Sequence, residues 1–346
     1  MTDTPRTGIH RRTPDGGWPP PPVPDAAGLA AAREIVSAAH PPTSMVWSHA
    51  LSDLAGREIH LKLEGTSAVR SFKFRGALVA VARAAEEFPG RPIVTASTGN
   101  HGQGIAFAGR RHGLDVIVCS PETTLPEKKA AMEALGATVV IAGSTLTESE
   151  HRAREIAAER GGLYLEDGES PHLMAGAATV VMEMLEQQPD LDAIVVPVGG
   201  GNLVAATLLA VAAAGSGATV VGVQSTEAPG ATLSWLAGTT VHSACHTYAG
   251  GLATERPGEL SLTVMTRLLA TMVLVTDDDL REVSGWAFRS LGLVVEGAAA
   301  AAPAALRLYP DAIPGERIGL VVSGSWLTPD QLTEGLALAA TPSHPA

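Results

Sequence analysis

The chain is predicted to be a doubly wound α/β protein, and two features of its sequence carry that prediction. Short runs rich in valine and isoleucine recur along the chain, and segments with helical periodicity separate them. Strands that helices cover on both faces read as continuous apolar runs, which is typical of parallel sheets. Hydrophobic residues make up 45% of the 346 residues, so the chain is long and apolar enough for a large core.

The predicted elements follow one another in a regular order after an amino-terminal arm. This arm, residues 1–25, is polar and rich in proline, and we expect it to be disordered. The predicted strands are 58–63, 92–96, 115–119, 138–142, 163–165, 193–198, 219–224, 272–276 and 318–322. The predicted helices are 27–39, 74–85, 105–111, 126–135, 148–159, 173–186, 203–214, 277–290 and 329–339.

Composition excludes several classes of protein. A net charge of -12 argues against a nucleic-acid-binding surface, and no apolar run reaches the length needed to cross a membrane. The two cysteines, Cys119 and Cys245, are far apart and lack the spacing of a metal site or a disulfide framework. We therefore expect a cytoplasmic protein with no nucleic-acid, membrane or metal partner.

Lys73 is the first candidate for a reactive residue. The apolar positions from Phe74 to Ala85 fall at helical spacing, and we expect Ser71 to cap this helix. Lys73 then lies in the first turn, where the helix dipole disfavours a cation and favours a neutral, nucleophilic amine. Because most single lysines are solvated surface residues, this interpretation depends on other residues of the chain.

Three turns that follow predicted strands are candidate ligand sites, because ligands collect at the carboxyl ends of parallel strands. Residues 97–104 expose backbone N–H groups at a helix start and suit a carboxylate or a phosphate, although a purely structural turn is the alternative. Residues 199–202 contain three consecutive glycines, which suit a phosphate. This turn does not match the motifs of nucleotide hydrolases or dinucleotide-binding folds. Residues 322–326 add hydroxyl groups.

A reactive lysine, a carboxylate loop and a phosphate loop together indicate pyridoxal phosphate bound as a lysine Schiff base. From about Pro42 to the last helix, the chain resembles the fold type II pyridoxal-phosphate enzymes, in the threonine/serine dehydratase and serine racemase branch. The resemblance implies a tryptophan synthase β-like fold of two lobes, each with a mostly parallel sheet flanked by helices. The motifs that carry it are 62–64, 71–77, 97–104, 199–201, 249–253, 295–298 and 323–324.

The resemblance also implies a role for individual residues. Lys73 would form the Schiff base and then act as the base for the α-proton, while Ser323 would face the pyridine nitrogen. Thr98 takes the position of a racemase-type serine and is the second candidate catalytic residue. The implied cofactor-binding residues are Phe72, Lys73, Asn100, Gly199, Gly200, Gly201, Asn202, Leu203 and Ser323, and those for the substrate carboxylate are Ser97, Thr98, Gly99, Asn100 and His101.

Domain organisation and assembly are also implied by the resemblance. Residues 26–85 and 170–340 would form a large cofactor-binding domain, residues 86–169 a small domain, and residues 341–346 a tail. The sequence continues only briefly beyond the last predicted helix, so we expect no regulatory domain. The expected assembly is a homodimer.

Four residues depart from the pattern of the family. Arg70 replaces a glycine and either binds a second acidic group of the substrate or points to solvent. Asn202 replaces a fourth glycine, Trp326 replaces an asparagine, and Gln224 stands where metal-dependent members carry a glutamate ligand. These departures leave the substrate side chain open and argue against a metal site.

The function that the resemblance implies is that of an ammonia-lyase. It would remove the β-substituent of a small, threonine- or serine-like amino acid and release a keto acid and ammonia. One alternative is β-replacement or racemisation of a related amino acid. Another is a protein that binds the cofactor without turnover, and the departures at Trp326 and Asn202 are the reason for considering it.

Overall fold

The computed structural model describes residues 7–340. Its strands are β1 (Gly8–Arg11), β2 (Met45–Trp47), β3 (Glu58–Leu63), β4 (Ile93–Ala96), β5 (Val116–Ser120), β6 (Thr138–Ile141), β7 (Leu163–Tyr164), β8 (Ala193–Pro197), β9 (Thr219–Ser225), β10 (Thr271–Val275) and β11 (Arg317–Val322). Its helices are α1 (Ala26–Ala39), α2 (His49–Ala55), α3 (Lys73–Glu87), α4 (Asn100–His112), α5 (Pro126–Ala134), α6 (Leu146–Glu159), α7 (Pro171–Gln187), α8 (Asn202–Ala213), α9 (Gly230–Ala237), α10 (Glu259–Leu268), α11 (Asp277–Leu291), α12 (Ala301–Leu308) and α13 (Pro329–Leu338).

The chain divides into two compact units, and the first contains the larger sheet. This unit comprises residues 7–23, 42–66 and 180–340 of the described chain. Its seven strands lie in the order β1, β10, β9, β8, β11, β3, β2, and only the two edge strands are antiparallel to their neighbours. The central strands β8 and β10 are buried along their whole length, as expected for strands covered on both faces.

The second unit comprises residues 24–41 and 67–179 and contains the smaller sheet. Its four strands are all parallel and lie in the order β6, β5, β4, β7. Residues of β4, β5 and α6 form the hydrophobic core of this unit. Two mostly parallel sheets flanked by helices confirm the predicted fold class.

Most predicted strands and helices are present, with ends shifted by a few residues. The strand 58–63 has the predicted limits, and the acidic run 277–279 begins α11 as the helix dipole favours. The elements β1, β2, α2, α9, α10 and α12 were absent from the prediction, because they are short or lack a clear apolar period. These additions complete the two edges of the larger sheet and its covering helices.

The prediction of a disordered arm is wrong for part of residues 1–25. Residues 8–11 form β1, which pairs with β10 in antiparallel register, Gly8 opposite Leu274 and Arg11 opposite Thr271. Residues 1–6 lie outside the described part, as does the predicted tail 341–346. A polar sequence is compatible with an edge strand because one of its sides faces solvent.

The division into units differs from the predicted lobes, which assign residues 26–85 to the large domain. Helices α1 and α3 group with the smaller sheet, and the division falls within α7, between residues 179 and 180. The close packing of α3 against α4 within this unit accounts for that grouping. The predicted domain limits remain a prediction.

A buried polar cluster in the first unit explains the motif 62–64. Lys62 Nζ donates hydrogen bonds to Glu183 Oε2 at 2.8 Å, to Gln187 Oε1 at 2.9 Å and to the carbonyl of Thr43 at 2.9 Å. The Thr43 hydroxyl in turn donates to Glu64 Oε1 at 2.6 Å. Because a buried charge is tolerated only when it is paired and hydrogen-bonded, both charged residues of the motif have a structural role.

Candidate functional site

Lys73 is the first residue of α3, and its backbone is held closely by neighbouring helices. The helix has no side-chain cap, and Ser71 does not supply one, so the prediction that Ser71 caps α3 is wrong. Instead, Ser67 Oγ accepts a hydrogen bond from Ser71 N at 3.1 Å and donates to Ser71 O at 2.8 Å, which fixes the chain in a turn. The free helix end leaves backbone N–H groups next to the lysine.

Close contacts between helices explain the glycine of the lysine motif and two glycines on the helices that pack against it. A Cβ atom on Gly76 would lie 2.7 Å from the carbonyl oxygen of Leu173, and one on Gly176 would lie 2.4 Å from that of Arg75. A Cβ atom on Gly104 would lie 2.9 Å from the carbonyl oxygen of Lys73 itself. The backbone of Lys73 is therefore set against α4, and no side chain larger than hydrogen fits between them.

The amine of Lys73 contacts an acidic residue that lies in the loop after β7. Lys73 Nζ donates a hydrogen bond to Asp167 Oδ2. The same Nζ atom lies 5.2 Å from the centroid of the Phe72 ring. Burial alone would raise the pKa of Asp167, but its attraction to Lys73 and the hydrogen bond from Lys73 lower it. Asp167 is therefore ionised at neutral pH.

His101 lies on the other side of Asp167. His101 Nδ1 is 3.9 Å from Asp167 Oδ1, and His101 Nε2 is 3.0 Å from the Thr95 hydroxyl. Burial lowers the pKa of His101, the positive charge of Lys73 lowers it further, and Asp167 opposes both effects. The imidazole is therefore neutral at physiological pH.

The predicted carboxylate loop, residues 97–101, lies in the same unit as Lys73. Ser97 Oγ accepts hydrogen bonds from Gly99 N at 3.0 Å and Gly102 N at 2.9 Å, so this hydroxyl shapes the turn and retains one proton to donate. Asn100 begins α4, which places it at the end of the helix dipole that attracts anions. Thr98 is half-buried, and its hydroxyl makes no hydrogen bond to any described residue.

An unpredicted cation lies on this loop. A Cβ atom on Gly99 would lie 2.5 Å from Lys128 Cδ and 3.3 Å from Lys128 Nζ, so the stem of this lysine packs directly over Gly99. Lys128 comes from α5, and within residues 7–340 its ammonium group has no carboxylate partner. The loop therefore combines a helix start with a nearby positive charge, and both favour an anion.

The glycine-rich turn lies in the first unit, between β8 and α8. Gly201 has φ = 91° and precedes α8, which has no side-chain cap. A Cβ atom on Gly199 would lie 2.6 Å from the carbonyl oxygen of Gly251, so the second glycine motif, 249–253, packs against the first. Asn202 and Leu203 form the first turn of α8, and their N–H groups have no partner within the helix.

Three buried polar atoms near this turn have no hydrogen-bond partner in the described chain. They are Asn202 Oδ1, Thr254 Oγ1 and Ser261 Oγ. Thr254 Cγ2 lies 3.8 Å from a Cβ atom placed on Gly200, and Ser261 Cβ lies 3.0 Å from one placed on Gly201. Buried polar groups are rarely left unsatisfied, so the turn is suited to a polar ligand such as phosphate.

The third predicted turn begins at Ser323, immediately after β11. Ser323 is buried, and the chain that follows it is anchored within the first unit. Ser325 Oγ donates to the carbonyl of Gly65 at 3.1 Å, and Trp326 N donates to Glu296 Oε2 at 3.2 Å. Glu296 belongs to the motif 295–298, which therefore fixes the turn that presents Ser323.

Gln224 has a structural role next to the glycine-rich turn. Its Oε1 accepts hydrogen bonds from the backbone of Thr232 at 2.9 Å and from its hydroxyl at 2.8 Å, while its Nε2 donates to the carbonyl of Gly199 at 3.5 Å. Within residues 7–340, no group of three or more His, Cys, Asp or Glu side chains is arranged to hold a metal ion.

Sequence reasoning found the loops but missed two charged residues of this site. The residues named for the carboxylate and for the lysine lie in the second unit, and those named for the phosphate, with Ser323, lie in the first. Asp167 and Lys128 belong to no recognised motif. The position of Asp167 after a strand of a parallel sheet was the one available signal, because ligand-binding residues concentrate there.

Comparison with known proteins gives a consistent family assignment. The family described as "Pyridoxal-phosphate dependent enzyme" matches residues 36–324. A curated relative, the L-threonine ammonia-lyase of Thermotoga maritima, is 31% identical over 283 residues, which cover 82% of this chain and 70% of the relative.

Solved structures with the same fold include enzymes of two activities. Threonine deaminase isoform 2 from Solanum lycopersicum has a TM-score of 0.84 at 29% identity, covering 96% of this chain and 100% of that one. A pyridoxal 5'-phosphate-dependent aspartate racemase has a TM-score of 0.85 at 28% identity, covering 91% of this chain and 99% of that one.

Proposed function

Because the chain belongs to the family of pyridoxal-phosphate-dependent enzymes, we propose that it is an ammonia-lyase for a small β-hydroxy amino acid of the serine or threonine type. The products are a keto acid and ammonia. The likeness to the L-threonine ammonia-lyase and to the threonine deaminase supports this choice of reaction. The substrate side chain is part of the proposal.

The observation that supports the proposal most directly is the structural environment of Lys73. Its amine is partly buried at an uncapped helix start, and its backbone is fixed by the contact with Gly104. The residues of the chain fit the cofactor, because a second feature, the unpartnered polar atoms around Gly199–Gly201, suits its phosphate. We propose that Lys73 attaches the cofactor covalently and that residues 199–203 bind its phosphate. Phe72 and Asn100 would contact the pyridine ring, and Ser323 would face the ring nitrogen.

In the proposed reaction, residues of the chain bind the substrate and move one proton. When bound, pyridoxal phosphate supplies an electron sink that stabilises negative charge at the α-carbon. The loop 97–101 binds the substrate carboxylate through backbone N–H groups and the hydroxyls of Ser97 and Thr98. Lys73 Nζ accepts the α-proton, this proton then passes to the β-hydroxyl, and the bond from the β-carbon to that oxygen breaks, so that water leaves. The remaining enamine hydrolyses to the keto acid and ammonia.

Location and assembly are further parts of the proposal. We propose that the enzyme is cytoplasmic, because its two cysteines lack the spacing of a disulfide framework, and that it forms a homodimer. Among the described residues, no helix combines the length and the apolar character that crossing a membrane requires. Light scattering coupled to gel filtration measures the mass and tests the dimer, since a monomer of 35.5 kDa would contradict it.

A second candidate function is racemisation. The unbonded hydroxyl of Thr98 favours it, because a second acid or base on the loop allows a proton to return from the other side of the substrate. The likeness to the aspartate racemase is consistent with this alternative. The two reactions differ in their products, since racemisation yields the enantiomer without ammonia.

The visible absorption band of the bound cofactor tests the proposal. The wild type incubated with pyridoxal phosphate should show a band that survives desalting, and Lys73→Ala should lack it because no amine remains to form the covalent bond. Lys129→Ala is the matched control, since Lys129 lies on α5 and pairs with Glu133, at 3.7 Å.

Product analysis then identifies the reaction. Incubation of the loaded enzyme with serine and with threonine should release keto acid and ammonia in equal amounts. Appearance of the enantiomer alone would assign racemisation instead. A wild type without the band would refute the cofactor assignment, and a band without consumption of any amino acid would indicate a binding protein.

A further inference from the structure

The residue that contacts the reactive lysine, Asp167, has no role in the reaction as described so far. Lys73 Nζ donates to Asp167 Oδ2, and the two side chains are 18% and 35% exposed, so both lie at the edge of solvent. In the described part of the chain, no other carboxylate lies within ion-pair distance of Lys73. A small substrate can therefore reach the pair. Asp167 is the carboxylate that contacts Lys73 in the described part of the chain.

The hydrogen bonds around His101 identify the hydrogen-bond partner of Asp167. The Thr95 hydroxyl donates its only proton to the carbonyl of Leu165 at 2.6 Å. It can therefore only accept from His101 Nε2, at 3.0 Å, so Nε2 carries the proton of the neutral ring. His101 Nδ1, which faces Asp167 at 3.9 Å, then carries none. Lys73 is thus the hydrogen-bond donor that faces Asp167.

We infer that Asp167 is a positioning residue that stabilises the protonated form of Lys73 during turnover. This inference rests on the proposed function, in which Lys73 takes the α-proton. The bond between the α-carbon and hydrogen breaks, its electron pair remains with the substrate, and the proton moves to Lys73 Nζ. The ammonium group formed there gains a charge-assisted hydrogen bond to Asp167 Oδ2. Asp167 thus favours proton removal without touching the substrate.

Charge considerations support this role. A partly buried amine that becomes an ammonium group needs a counter-charge, because burial penalises the charged form. Asp167 remains ionised, since its attraction to Lys73 and the hydrogen bond from Lys73 keep the pKa of the carboxyl below its ordinary value. A hydrogen bond to a charged group changes an equilibrium by roughly 10- to 100-fold.

The test uses three variants of the loaded enzyme. Asp167→Asn keeps the shape and removes the charge, and Asp167→Glu keeps the charge. Glu166→Gln is the matched control, because Glu166 is the adjacent carboxylate and pairs with Arg154 instead. We expect Asp167→Asn to lower kcat by roughly 10- to 100-fold with KM changed less than threefold, and to increase the isotope effect with α-deuterated serine.

A second readout uses the cofactor-free protein. Lys73 is acylated by an amine-reactive reagent at mildly alkaline pH, and the modified peptide is quantified. We expect faster modification in Asp167→Asn than in the wild type, because the Lys73 amine no longer donates a hydrogen bond to a carboxylate at this position. Asp167→Glu should fall between them in this assay and recover part of kcat, whereas Glu166→Gln should match the wild type in both.

The outcomes separate this inference from the proposed function. An Asp167→Asn enzyme with the kcat, the isotope effect and the Lys73 modification rate of the wild type would overturn the role of Asp167. If Asp167→Asn does not fold, Asp167→Ser takes its place, because it also removes the charge, and an Asp167→Ser enzyme with neither kcat nor the modification rate altered would overturn the inference as well. A wild type without the cofactor band refutes the proposed function, whereas the modification assay still tests the pair.

Discussion

Thr254 offers a residue-scale test of where the phosphate binds. Its hydroxyl is one of the buried polar atoms without a partner, and its methyl group lies next to Gly200. Thr254→Val keeps the shape and removes the hydroxyl. If this hydroxyl donates to a phosphate, the variant should bind pyridoxal phosphate roughly 10- to 100-fold more weakly, which is typical of a lost hydrogen bond to a charged group. Fluorescence titration of the cofactor-free protein measures the affinity.

The comparison with unphosphorylated pyridoxal makes the Thr254 test specific. Affinity for pyridoxal should be the same in Thr254→Val and the wild type, because this ligand lacks the acceptor. Thr263→Val is the control, since the Thr263 hydroxyl bonds to the carbonyl of Glu259 on its own helix. Equal losses for both ligands would show that Thr254 does not bind the phosphate.

Individual residues of the candidate site were predictable only where a motif marks them. Lys73 and the glycines 199–201 stand out in the sequence because a helix start and three consecutive glycines have few structural uses. Asp167 does not, because Glu166, Asp167 and Glu169 look alike in a polar loop. Only the fold distinguishes them: Glu166 pairs with Arg154, and Asp167 contacts Lys73.

At the scale of elements, the contact between α11 and α13 depends on two glycines. A Cβ atom on Gly285 would lie 2.1 Å from the carbonyl oxygen of Gly335, and one on Gly335 would lie 2.5 Å from that of Arg281. The two helices therefore touch through their backbones. Since α13 follows the turn that presents Ser323, this contact also secures the chain beyond that turn.

Gly285→Ala should therefore destabilise the protein although alanine favours helices. The intrinsic preference of alanine contributes about 1 kcal/mol in the stabilising direction. The overlap with backbone atoms of α13 opposes it, and overpacking of this kind costs about 1–3 kcal/mol. We expect a net loss of about 1–2 kcal/mol in the free energy of unfolding, measured by urea denaturation. Gly217→Ala is the control, because no heavy atom lies within 4 Å of its Cβ position.

Elements were predictable in proportion to their burial. The central strands read as apolar runs because both of their faces are covered, and they were found within a few residues. The edge strands β1 and β2 are only four and three residues long and have partly exposed residues, so neither forms the longer apolar run that marks a buried strand. Pairing with a neighbour, and not local preference, makes them strands.

For the whole molecule, the sequence predicts the fold class correctly. It does not predict which helices group with which of the two sheets. Alternation of strands and helices predicts parallel sheets, and both sheets are mostly parallel. The grouping of α1 and α3 with the smaller sheet depends on contacts between residues distant in sequence, such as Gly76 with Leu173. Apolar periodicity shows that a helix has a buried face but not which partner covers it.

The amino-terminal strand β1 has a practical consequence for shortened forms of the protein. Residues 1–25 resemble a dispensable arm in sequence, yet β1 supplies the outermost strand beside β10. A chain lacking residues 1–12 would leave the N–H and carbonyl groups on that side of β10 exposed, and such an edge recruits strands from other molecules. We expect concentration-dependent aggregation in static light scattering, whereas a chain lacking only residues 1–6 retains β1 and should match the full chain. Equal scattering from both shortened chains and the full chain would show that an exposed β10 edge does not cause aggregation. We therefore expect β1 to protect solubility, so that a shortened chain prepared for crystallisation should retain it.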